Sequence, residues 1–114
     1  MLLQFQVNGY EMGRLVEVGP EHRDILQERV VGVKICGTAP IDSIEIVRNN
    51  IEVCTYRGEG EDVDFQWSDQ QDLSRIALPR PMRGGALTCY YFLRVIQTNG
   101  EIAWSSPVWF MLRP

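Results

Sequence analysis

The chain has 114 residues, 45% hydrophobic and 23% charged, with 11 basic and 15 acidic side chains and a net charge of -4. That length suits one domain over residues 1–114 with its own core. The composition excludes a disordered or fibrous chain, and the acidic balance argues against a general nucleic-acid binder, which would carry a clustered positive excess.

No apolar run approaches the ~20 residues of a membrane helix, so no membrane partner is expected. The opening residues lack the basic and apolar regions of a signal peptide. Leu3, Phe5 and Val7 alternate with Gln4 and Gln6, the pattern of a half-buried edge strand. Asn8-Gly9 then turns the chain. A second short run over residues 14–18 closes at Gly19-Pro20, and residues 21–28 have room for no more than a helical turn. Residues 29–36 form a strand with Val31, Val33 and Ile35 on one face and Cys36 pointing away. Ile44 and Ile46 alternate with Glu45, and Asn49-Asn50 offers a tight turn into residues 51–56, so a hairpin is expected there. After the acidic loop 58–62, Val63, Phe65 and Trp67 alternate with Asp64 and Gln66. Residues 68–86 hold Pro79, Pro81 and Gly84-Gly85 without a sustained period and read as one long crossing loop.

The strongest hairpin signal comes last. Residues 88–97 are rich in aromatic and β-branched side chains, and Asn99-Gly100 suits the positive φ angles of a type I′ turn. A two-residue loop would pair Gln97 with Ile102 and Val95 with Trp104. Tyr91, Leu93, Val95 and Trp104 then share the core face, while Tyr90, Phe92, Ile96 and Ala103 share the other. Continuing the alternation puts Val108 and Phe110 inward and Trp109 outward, unless a bulge at Ser105-Ser106-Pro107 reverses the assignment. About seven to eight short strands, turn residues between them and one long crossover predict an all-β, antiparallel Greek-key sandwich of the immunoglobulin or fibronectin III type. Tyr90 or Tyr91 stands where a tyrosine corner would sit.

Three cysteines, Cys36, Cys54 and Cys89, match no zinc spacing. Strand parity points Cys36 and Cys89 in opposite directions, so reduced thiols in a cytoplasmic protein are expected. A multi-histidine metal site is excluded, because His22 is the one histidine in the chain. The acidic residues Glu59, Glu61, Asp62, Asp64, Asp69 and Asp72 match no calcium loop and read as a solvated segment. A mobile acidic loop is also a poor place to hold the two carboxylates of a glycosidase. Ser68 and Ser74 lack a partner base, and no G-x-S-x-G elbow occurs. No catalytic residue, cofactor or metal is therefore predicted.

Two groups remain as candidates. Arg75, Arg80, Arg83 and Arg94, in a stretch without acids, could contact an anion or a partner domain through their guanidinium forks. Tyr90, Phe92, Ile96 and Trp109 make an apolar patch on the outer face of the last hairpin, and such patches mark interaction sites. Burial beneath other strands or the long loop is the competing reading of that patch.

Several pieces resemble a known family. Val7-Asn8-Gly9 with Met12-Gly13, the GTAPI and IEIVRN segments at residues 37–41 and 44–49, Tyr90-Tyr91, Arg94-Val95, Gln97, Gly100 and the AWSSP segment at 103–107 carry the likeness. They are similar to the C-terminal β-sandwich of a little-characterised bacterial family. Its larger N-terminal domain resembles the PHP (polymerase and histidinol phosphatase) metal-dependent phosphoesterases. The resemblance implies an accessory module whose parent's metal ligands lie upstream of these residues. The expected function is thus non-catalytic docking against another protein domain or in a homodimer. A carbohydrate-binding module using the exposed aromatics is the alternative, with sugar as the ligand.

Overall fold

In the computed structural model, which describes residues 1–58, 60–80 and 84–113, alternating strands build two facing sheets. The first holds β1 (Leu2–Val7), β2 (Tyr10–Glu11), β4 (Arg29–Cys36) and β7 (Asp62–Asp69), in the order β2-β1-β4-β7. The second holds β3 (Leu15–Val18), β5 (Ile41–Arg48), β6 (Ile51–Arg57), β9 (Ala86–Gln97) and β11 (Val108–Leu112), in the order β3-β11-β9-β5-β6. Two short strands, β8 (Leu78–Arg80) and β10 (Ile102–Trp104), pair with the long β9 off that path. Helices α1 (Arg23–Gln27) and α2 (Leu73–Ile76) lie at the crossings that enter β4 and leave β7.

The core follows directly from parity. Phe5, Val7, Val31, Val33, Ile35 and Val63 face inward from the first sheet, and Ile44, Ile46, Tyr91, Leu93, Val95, Val108 and Phe110 from the second. Each such side chain contributes about 1.5–3 kcal/mol by leaving water. Aromatic pairs close the two open edges: Tyr56 stacks on Phe65 at 4.3 Å, and Tyr10 meets Phe110 edge-on at 6.3 Å.

The all-β sandwich expected from the sequence is present, with differences that have physical causes. The described residues contain eleven strands rather than seven or eight, because β2, β8 and β10 have only two or three residues, too few to show a period. One pair departs from antiparallel order: β3 runs parallel to β11, with Trp109 opposite Leu15 and Leu112 opposite Val18. The expected long loop over residues 68–86 holds regular structure in its described part, with residues 81–83 outside the described residues. β7 continues to Asp69, Asp72 caps α2 by accepting from the Ser74 backbone N–H at 2.9 Å, and β8 pairs with β9.

The last hairpin departs from the expected register by one residue. Ile102 faces Ile96, Ala103 faces Val95 and Trp104 faces Arg94. The loop is Thr98-Asn99-Gly100, closed by Gly100 N–H to Gln97 O and Gln97 N–H to Glu101 O, both 2.9 Å, with Gly100 at φ 87°. This is the three-residue turn that ends on a left-handed glycine. Odd residues of β9 from Cys89 to Gln97 still face inward, yet Trp104 flips to the outer face and is 61% exposed, contrary to its expected core position.

A second shift restores the interior. β11 pairs Val108 with Tyr91 and Phe110 with Cys89, so one extra residue enters between β10 and β11. The step falls at Ser105-Ser106-Pro107, where the Ser105 hydroxyl accepts from the Leu93 N–H at 2.8 Å. Val108 and Phe110 therefore point inward and Trp109 outward, as expected, although the route contains two offsets that cancel.

Two-residue turns of the primed kind occur elsewhere. Asn8-Gly9 (φ 49° and 82°) joins Val7 to Tyr10, and Asn49-Asn50 (φ 51° and 69°) joins Arg48 to Ile51. Both first asparagines extend a ladder through the side chain. Asn8 Oδ1 accepts from Val30 N–H at 2.7 Å, and Asn49 Oδ1 accepts from Tyr90 N–H at 3.1 Å. Asn49 Nδ2 also donates to Ile76 O at 2.8 Å, fixing α2 to the sheet.

Candidate functional site

The outer faces of the two sheets have opposite chemistry. On the first, pairing sets Gln4 beside Lys34 and Asp64, and Gln6 beside Gly32 and Gln66, a mainly polar surface with Leu2, Val30 and Cys36 toward its ends. On the second, pairing sets Trp109 beside Tyr90, Val47 beside Phe92, and Ile102 beside Ile96. The four residues expected to form an apolar patch do share this face. Tyr90 lies 4.8 Å from Trp109 and 6.2 Å from Phe92 between ring centres. With Arg80 over its ring as well, Tyr90 is only 8% exposed, so it is buried rather than displayed, while Phe92, Ile96 and Trp109 are half-buried. Trp104 and Ile102, 61% and 47% exposed, extend the patch. The one-residue slip in the hairpin hid both from sequence reasoning.

The four arginines do not act as one group. Arg80 lies on the aromatic face, its guanidinium carbon 4.4 Å from the Tyr90 ring centre and 5.6 Å from that of Trp109, a cation–π arrangement. Arg94, beside Trp104, donates from Nε to Glu45 at 2.5 Å. Arg75 lies on α2 and lines a different surface, and Arg83 falls outside the described residues. Antiparallel pairing explains the split: Arg80 and Arg94 have outward parity on β8 and β9, while the turn of α2 points Arg75 toward the end of β7.

A polar cluster that sequence reasoning missed lies inside the sandwich. Arg29 is fully buried and donates from Nε to the Tyr91 hydroxyl at 2.8 Å, from Nη1 to Ile25 O at 2.7 Å, and from Nη2 to Gln71 O. The Tyr91 hydroxyl donates to Asp69 Oδ2 at 2.5 Å, an atom that also accepts from Arg48 Nη1 at 2.7 Å and lies 3.6 Å from Arg29 Nη2. Asp69 Oδ1 accepts from Gln71 N–H at 3.1 Å. Burial disfavours the Asp69 anion, but the Tyr91, Arg48 and Gln71 donors outweigh it and hold the carboxyl below its usual range. Burial raises the Tyr91 phenol and pushes the neighbouring Cys89 thiol up to about 11. One signal was available: Arg29 and Asp69 occupy inward parity at opposed ends of β4 and β7, where a lone charge needs a partner. Tyr91 thus serves this network rather than the backbone bond of a tyrosine corner.

An open cleft of about 610 Å³ adjoins the cluster, lined by Arg48, Val53, Trp67, Asp69, Asp72 and Arg75 among others. The acidic residues are dispersed. Asp62 and Asp64 lie on β7 near its start, Asp69 is buried at its end, Asp72 caps α2, and Glu59 is outside the described residues. Among the described residues no three His, Cys, Asp or Glu side chains converge as metal ligands. The His22 ring accepts from Gly19 N–H at 2.9 Å in the turn before α1. The thiols are free, with Cys36 exposed, Cys54 half-buried and Cys89 buried. No described helix is long and apolar enough to cross a membrane.

Similar proteins occur in Chlamydia. Uncharacterized proteins of Chlamydia trachomatis serovar D and Chlamydia muridarum are 32% and 31% identical over 112 residues, 98% of this chain. One of Chlamydia pneumoniae is 30% identical over 109 residues, 96% of the chain. No family model and no solved structure matches at the same significance. The chain spans only 18%, 18% and 17% of the length of these curated relatives, so each of them carries several times more polypeptide than this sandwich.

Proposed function

We propose that this chain is a non-catalytic interaction module that docks, through the outer face of its second sheet, against a neighbouring domain of a longer protein. The contrast between the two outer faces carries this reading. A solvated outer face is mainly polar, as that of the first sheet is over its central rows Gln4, Gln6, Lys34, Asp64 and Gln66. The second presents Ile102 and Trp104, with Phe92, Ile96 and Trp109 half-buried around the buried Tyr90, and the extra length of the relatives supplies a candidate for what covers them. The strand order of the second sheet and the crossings β4–β5 and β6–β7 support an immunoglobulin-type topology. Three free cysteines support a reducing, cytoplasmic location. The likeness to PHP-associated sandwiches adds that the neighbouring domain is a metal-dependent phosphoesterase, whose turnover takes place outside these residues.

The test is the double variant Phe92→Ser, Trp104→Ser, with the isolated chain and with the full-length chlamydial relative changed at the equivalent positions. The expected result is a folded isolated domain with little change in Tm, together with easier proteolytic separation of the domain in the full-length protein. An unfolded isolated domain would show that these side chains are internal core, and an unchanged full-length protein would remove the docking role. Light scattering of the isolated chain separates a second copy as occupant.

The exposed indole of Trp104 favours a second reading, a carbohydrate-binding surface. Titration with neutral glycans while following tryptophan fluorescence decides it, and no response discards it.

A further inference from the structure

We propose that the cleft between the end of β7, α2 and β5 binds a small organic anion, a carboxylate or phosphate carried on a ring or short chain, with Arg48 and Arg75 as its charged contacts and Trp67 as its apolar wall. Charge is the first argument. Behind the cleft, Arg29 and Arg48 share the single carboxylate of Asp69, so the buried cluster keeps one positive charge in excess.

The second argument is which donors are already used. Arg29 is spent on Tyr91, Ile25, Leu26 and Gln71. Arg48 gives only Nη1 to Asp69, and its side chain is 19% exposed, so among the described residues its other donors face the opening. Arg75 is exposed on α2 and acts on the Asp72 carboxylate through charge alone, without a side-chain hydrogen bond to it among the described residues. Asp72 on the same rim accepts from the N–H and hydroxyl of Ser74 and stays ionised, its carboxyl held below the usual range by those bonds and by Arg75 and Arg29, so Arg29, Arg48 and Arg75 against Asp69 and Asp72 leave one positive charge in excess at the cleft. Two guanidinia with donors to spare match the planar oxygens of a carboxylate or phosphate.

The third argument is shape. Trp67 is half-buried and lines the cleft together with Val53, so one wall is apolar while the rim carries Ser68, Gln70 and Gln71. Apart from Trp67 and Val53 the lining is polar and the cleft is open, so recognition there rests on the guanidinium forks, with the indole as the one flat apolar contact. This surface is separate from the aromatic outer face of the second sheet, so its test and the docking test succeed or fail independently.

The experiment follows the indole N–H of Trp67 by two-dimensional 1H–15N NMR, assigned with Trp67→Phe, during titration with glucuronate, glucose 6-phosphate and neutral glucose. A saturable shift with either anion, weakened by salt and absent with glucose, is expected, and the anion that responds identifies carboxylate or phosphate as the source. Arg75→Gln should weaken binding about tenfold, the scale of one charge-assisted hydrogen bond, and Arg75→Lys should restore part of it at unchanged Tm. No saturable shift with either anion, equal binding of glucose, or equal affinity in Arg75→Gln overturns the assignment.

Discussion

Replacing Asp69 by Asn tests whether the buried cluster holds the sandwich together. The carboxylate accepts from Tyr91 and Arg48 at Oδ2 and from the Gln71 N–H at Oδ1. An amide can accept on only one side. Whichever way it turns, its NH2 group faces a donor, leaving at least one buried group unpaired at about 1–3 kcal/mol. The guanidinia of Arg29 and Arg48 also lose their counter-charge, and breaking a buried ion pair by removing one member costs about 3–5 kcal/mol. The two figures overlap, so the expected loss is about 3–5 kcal/mol, a large share of a typical domain's stability.

The assay is urea unfolding of both proteins across pH. Asp69 has its carboxyl lowered in the folded state, so its contribution is complete above the unfolded carboxyl's range near 3.8 and disappears as pH falls through the lower folded value. At pH 7 the variant should therefore unfold at markedly lower urea. The gap should narrow only below about pH 4. A loss under about 1 kcal/mol at pH 7, the size of one ordinary hydrogen bond, or a gap that closes while Asp69 is still ionised, would refute the reasoning.

Asn49→Ala removes the bonds to Tyr90 N–H and Ile76 O and places alanine at φ 51°. A loss of about 2–3 kcal/mol in urea is expected, with faster amide exchange in α2. Gly100→Ala meets no atom within 4 Å, so only its φ of 87° opposes it. The cost should be near 1 kcal/mol, whereas Gly58→Ala, whose added carbon would lie 2.8 Å from Ile41, should cost more. A thiol reagent at neutral pH should modify Cys36 first and Cys54 later, and reach Cys89 only after urea is added, because Cys89 is buried and its thiol is held up to about 11. Rapid labelling of all three would contradict the packing.

The sequence made the strands legible wherever alternation ran for six or more residues, as in β4, where Val31, Val33 and Ile35 all fall inside. It did not reveal β8 or α2, because three or four residues carry no period and their positions depend on β9 and on Asp72. The last hairpin shows a finer limit. Asn99-Gly100 is compatible with two loop lengths, and the choice between them rests on bonds from Gln97 that no dipeptide preference reports. Gln97 is itself buried and accepts from Thr38 N–H, tying that loop to the distant β4–β5 connection. The aromatic patch was visible by parity in Tyr90, Phe92 and Ile96, but Trp104 joined it only through the slip. The cleft was invisible, since Arg48, Trp67 and Arg75 come from three separate elements.

The parallel ladder between β3 and β11 joins a segment near one end of the chain to its last strand. Tension drawn between residues 14 and 113 would run along both strands in opposite directions, loading the rungs of that ladder together in shear instead of peeling them singly.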